Sequence, residues 1–209
     1  MTFYLMLMLN LINSANFEFR KDVSFLISNL NIGWIAGVLS MIAFVFEFID
    51  DFYYLDQGRY YFGKLFTVIL GICSMLFFSL FMRSFILIGT IFKNSFLTII
   101  ATIFIVINVV IASYALIDME FNIMHMEAYG LLDAVLFGTM TLFFGYALYK
   151  LKGLGNLPQA SGLIHIILGA MMVSIIFAIV AGPASILAQG LNVAVILKAI
   201  EVLKKHVGN

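Results

Sequence analysis

The chain is short of charge, of cysteine and of proline. Charged residues fill 11% of its 209 positions, against about 25% in an ordinary soluble domain. Basic and acidic side chains number 11 each, so neither sign is in surplus. A nucleic-acid binder needs extra Lys and Arg to displace counterions, and that class of partner is excluded. One cysteine, Cys73, cannot pair within the chain. An internal disulfide framework and Cys-based zinc or iron–sulfur sites are therefore absent, and Cys73 reads as a small packing residue in an apolar run. Catalytic signatures are missing too: there is no G-x-S-x-G, Walker A, G-x-G-x-x-G or HExxH pattern. Gly130-Leu131-Leu132-Asp133 lacks the second glycine of the intramembrane aspartyl-protease pattern, and Glu47 to Asp56 lacks the spaced aspartates of prenyl transferases.

What is present is apolar surface, with 64% of residues hydrophobic. Disorder needs low hydrophobicity and high net charge, so it too is excluded. The composition is that of an integral membrane protein, an all-α polytopic bundle. A helix crosses the hydrocarbon core with about 20 mainly apolar residues, and six stretches qualify. They run from about Val23 to Ile49, Tyr61 to Phe92, Phe96 to Ile117, Glu127 to Tyr149, Pro158 to Ala181 and Pro183 to Val202. The only two prolines, Pro158 and Pro183, each fall at an expected helix start, where a missing N–H costs nothing. Gly182-Pro183 would then turn a tight antiparallel hairpin. The second stretch, at about 48 Å, outruns a bilayer of about 30 Å and is expected to break near Arg83-Ser84. No internal repeat is evident, and residues 23–209 read as one transmembrane domain.

Residues 1–22 form a separate N-terminal segment. Its apolar run ends at Asn10, Asn13, Ser14 and Asn16, which is short for a span, so an interfacial helix is expected there. A seventh span is the alternative; a signal sequence would want a basic start, which is lacking.

Charge sorts the ends of the six spans. Arg20, Lys21, Arg83, Lys93, Lys150, Lys152, Lys198, Lys204 and Lys205 fall on one side. Glu47, Asp50, Asp51, Asp56, Asp118, Glu120, Glu127 and Asp133 fall on the other, with Arg59 and Lys64. The positive-inside rule makes the first side cytoplasmic, so both termini are expected there, in the cell membrane.

Polar groups at membrane depth are costly and therefore candidates for function. Asp133 lies two turns inside the fourth stretch with Tyr129 one turn above it, an arrangement suited to a proton or cation. Glu47, Asp50 and Asp51 share one turn at the end of the first stretch. Asn108, near the middle of the third, suits an interhelical hydrogen bond or a permeation path. A divalent cation could use Asp50, Asp51, His125 and Glu127, and Met124-His125-Met126 has the donors copper favours, yet no spacing specifies a metal. His125 and His165 fall at opposite faces, which argues against haem, and nothing implies a nucleotide. Lys198 reads as snorkelling near Glu201 rather than as a retinal lysine. Gly33-xxx-Gly37, Ala134-xxx-Gly138 and Ser174-xxx-Ala178-xxx-Gly182 indicate close helix packing, and homo-oligomers only weakly.

Three functions compete. The first is a small transporter or channel-like protein for a cation, proton or small solute, with an acidic outer vestibule between the first and fourth spans. The second is a non-catalytic membrane subunit or sensor acting through a membrane-protein partner. The third is a metal-dependent membrane enzyme.

Overall fold

The computed structural model describes residues 23–121, 126–174 and 178–207, and leaves out the side chains at 51, 55–56, 118–121, 126–133, 178–182 and 206–207. Both readings of residues 1–16, as an interfacial helix or a seventh span, lie outside the described residues. Six helices follow one another: α1 Val23–Gln57, α2 Lys64–Ile91, α3 Ser95–Phe121, α4 Met126–Tyr149, α5 Leu157–Val173 and α6 Ala178–Val207. No strand occurs among the described residues. Four segments are long and apolar enough to cross a bilayer: Val23–Tyr54, Lys64–Ile91, Ser95–Ile117 and Pro183–Lys205. Ala134–Tyr149 and Leu157–Val173 are shorter apolar helices, so length and composition support four spans where the sequence led us to expect six.

Three boundaries differ from expectation. α1 continues past Ile49 to Gln57 and stops at Gly58, whose φ of 66° and N–H bond to the Tyr54 carbonyl (2.8 Å) make the left-handed C-cap. α2 does not break at Arg83-Ser84; it is one helix of 28 residues. Two of its interior hydroxyls bond back along the helix, Ser79 to the Met75 carbonyl (2.8 Å) and Thr90 to that of Ile86 (2.9 Å). Pro183 stands inside α6, and α5 ends at Val173 rather than Ala181. A proline suits the first turn but does not compel a start.

The helices form a closed ring in chain order, with α6 returning to pack on α1 and touching α2 as well. The α4–α5 pair packs most extensively. Gly145 and Gly162 face each other there, as do Gly138 and Gly169 one turn-pair away. A Cβ on Gly162 would lie 2.5 Å from the Gly145 carbonyl oxygen and the Tyr149 amide nitrogen, so only glycine lets the two backbones meet.

The core is concentrated at one end of the ring. In α2 the first buried hydrophobic side chain is Met75, and burial becomes nearly continuous from Phe81 to Gly89. These residues meet Leu97 and Ala101 of α3, Phe144 and Leu148 of α4, Leu151 and Leu154 of the next loop, and Val195, Ile196 and Ala199 of α6. Edge-to-face rings run through it: Phe81–Phe85, Phe85–Phe144 and Phe78–Phe104 have centroids 5.4, 5.0 and 5.3 Å apart. The turn after α2 is equally well made. Lys93 takes φ 54°, its N–H reaches the Thr90 carbonyl and that of Asn94 reaches Gly89 (2.7 Å), a Schellman closure. Asn94 then accepts from the Leu97 N–H (3.0 Å) and donates to the Ala147 carbonyl (3.0 Å), tying this turn to the end of α4.

Candidate functional site

The α1–α2 interface carries small residues at one end and carboxylates at the other. Gly33 packs on Ser84 and Gly37 on Phe81 and Val193, as their four-residue spacing suggests. Antiparallel packing then brings the acidic turn of α1 against the first half of α2. Glu47 accepts a hydrogen bond from the Ser74 hydroxyl at 3.1 Å. Asp50 is fully buried; one oxygen accepts the Phe62 N–H at 3.2 Å and the other meets the Thr67 hydroxyl. The Thr67 oxygen also lies 3.2 Å from the Gly63 carbonyl.

These bonds have two consequences. First, Asp50 is satisfied in either charge state. As a carboxylate it accepts from Thr67; as an acid it donates to Thr67, whose own proton turns to Gly63. Second, the carboxylates lie at successive depths. Glu47 is ten residues from the end of α1 and Ser74 ten residues from the start of α2, about 15 Å along the helix in each case.

The other sequence candidates are placed as follows. Asn108 is half-buried on α3, and its Nδ2 has no hydrogen-bond partner among the described residues. Glu127, Tyr129 and Asp133 belong to α4, but their side chains, like that of Asp51 and the whole of His125, lie outside the described residues. α1 packs chiefly on α2 and α6, whereas α4 packs on α3 and α5. The α1–α4 pair is therefore not among the main helix contacts, and of the expected site's acidic side chains only Glu47 and Asp50 fall among the described residues, where they bond to Ser74, Phe62 and Thr67. Among the described residues no three His, Cys, Asp or Glu side chains are grouped to hold a metal. Lys198 pairs with Glu201 (2.8 Å), which also binds Lys205 (2.7 Å).

A second polar cluster escaped the sequence reading. His165, expected near the end of its span, is mid-helix because α5 is short. Its Nδ1 lies 2.8 Å from the Ser161 carbonyl and therefore carries the ring proton. Its Nε2 accepts from the Asn192 amide at 2.9 Å, and the Asn192 oxygen accepts from the Ser161 hydroxyl at 2.8 Å. All three residues are buried, with the Phe144 ring edge-to-face on the imidazole at 5.4 Å. The available signal was Ser161 at i−4 to a histidine within an apolar helix. Asn192, 27 positions further on, gave none.

No family model matches this sequence, and no curated protein or solved structure is significantly similar to it.

Proposed function

We propose that the chain is a six-span membrane transport protein in which Glu47 and Asp50 bind and pass a proton or a small cation. Both termini would then lie on the cytoplasmic side. The observation that carries this reading is the Glu47–Ser74 hydrogen bond, an ionisable group held inside the apolar stretch Val23–Tyr54. A carboxylate kept there against its desolvation cost is a functional group by default. Asp50 is nearer the end of the same face, and its hydroxyl partner suits both charge states, which is what a proton-accepting step requires. α4 is 24 residues, about 36 Å, long enough for the fifth crossing helix; α5, at 17 residues, would complete the even number with the residues after it.

The test is proton flux into proteoliposomes holding a pH-sensitive dye, driven by a potassium diffusion potential. Glu47→Gln is expected to reduce flux to the level of empty vesicles, and Asp50→Asn to slow it. Wild-type flux no greater than that of empty vesicles, or Glu47→Gln flux equal to wild type, would sink the proposal.

The same hydrogen bonds favour a second reading, a non-catalytic membrane subunit or sensor in which both carboxylates fasten α1 to α2. There Glu47→Gln would lower stability in detergent, and the purified chain would carry no flux of its own.

A further inference from the structure

The end of the α1–α2 hairpin holds a cleft of about 460 Å³ lined by Phe48, Ile49, Phe52, Tyr53 and Tyr61. Four of the five walls are aromatic, and the volume falls within the roughly 300–1,000 Å³ of ordinary ligand sites. The cleft opens outward from the bundle, since Phe52 and Tyr61 are 65% and 60% exposed. Its filler must arrive from the surroundings of the helices. Rings around it are stacked or edge-on, Tyr53 on Tyr61 (5.0 Å) and Tyr54 on Tyr60 (4.6 Å). Tyrosines so gathered at one end of an apolar helix pair mark the headgroup level of a bilayer. Phe48 and Ile49 lie a turn or more before Tyr53 on α1, on the hydrocarbon side, and Phe52 directly precedes it. A cation stands at the mouth: exposed Arg59 has its guanidinium 3.4 Å from the hydroxyl of Tyr53, itself a wall of the cleft.

We propose that this cleft binds one membrane glycerophospholipid, an acyl chain lying against Phe48, Ile49, Phe52 and Tyr61 and the phosphate on Arg59. Apolar walls below the tyrosine level match a hydrocarbon chain, and the guanidinium matches the phosphate at the depth where every glycerophospholipid carries one. The proposal is independent of transport.

Native mass spectrometry of the full chain in detergent, with added palmitoyl-oleoyl phosphatidylglycerol, provides the test. One lipid should be retained per wild-type chain. Arg59→Gln should lower the lipid-bound fraction about fivefold, the loss expected for one headgroup contact, and Phe52→Ala should lower it through lost acyl-chain contact. Both positions are exposed, and a monodisperse elution profile verifies the fold. Lys93→Gln, at the opposite end of α2, should bind like wild type. Absence of a retained lipid, unchanged retention in Arg59→Gln, or an equal loss in Lys93→Gln would each overturn the proposal.

Discussion

At the scale of single residues, polar groups between helices decide what each substitution does. Asn192 is the bridge of the α5–α6 cluster, donating to His165 and accepting from Ser161. Asn192→Leu strands a buried imidazole nitrogen and a buried hydroxyl together, whereas Ser161→Ala removes one donor and leaves only the Asn192 oxygen short. An unsatisfied buried group costs about 1–3 kcal/mol, although interhelical bonds in membranes average nearer 0.6. Asn192→Leu should therefore destabilise by about 1–3 kcal/mol and Ser161→Ala by less, in unfolding with a denaturing detergent. Equal or negligible losses would show that the cluster does not join the helices. Cys73, by contrast, is half-buried within α2 and was legible from composition alone as a residue without a disulfide partner. A lone side chain can be read from sequence when its property is intrinsic. The Asn192 contacts depend on two helices meeting, and no local pattern encodes that.

At the scale of elements, the α4–α5 seam is the most constrained contact. Its glycines recur at seven residues, Gly138 and Gly145 against Gly162 and Gly169. Gly162→Ala pushes a methyl group to 2.5 Å from backbone atoms of α4, which cannot yield without separating the helices. Overpacking of this kind costs about 1–3 kcal/mol. Gly190 on α6 has nothing within 4 Å of an added Cβ, so Gly190→Ala should be neutral or gain about 0.5–1 kcal/mol through lower backbone entropy in the unfolded chain. Opposite signs for the two alanines, by the same unfolding assay, are the expected outcome. Two losses of similar size would mean that the seam is not specifically tight. The Gly33/Gly37 contact was legible because a four-residue spacing puts both residues on one face of one helix. A seven-residue repeat is sparser and acquires meaning only when a second helix presents the same repeat in the opposite direction. Pro183 misled for a different reason: proline lowers the cost of starting a helix without compelling one to start there, and here it lies inside α6.

At the scale of the molecule, the fold brings two of the basic connections together. Lys93 sits in the turn after α2, while Lys150 and Lys152 flank the chain after α4. These two basic connections converge: Asn94 bonds the Ala147 carbonyl, and Phe92 lies within 3.1 Å of where a Gly153 Cβ would project. Their placement together was legible in the sequence because like-charged loops must share a side when successive helices reverse direction. The dense core lies at this same end, which no charge count could show, since it comes from Phe81 and Phe85 of α2 meeting Phe144 of α4. The 58–63 connection, with Arg59, belongs to the opposite end of α2. Orientation can be measured with the single cysteine removed as Cys73→Ser and one introduced at either exposed site. In intact cells a membrane-impermeant maleimide should label Gln57→Cys directly and Lys152→Cys only after permeabilisation, if the positive-inside rule governs this chain. The reverse pattern would invert the protein and place the Glu47–Asp50 face on the cytoplasmic side. Labelling of both from outside would mean that α2, α3 and α4, which separate the two sites, do not make an odd number of crossings, and a six-span bundle would fall with them.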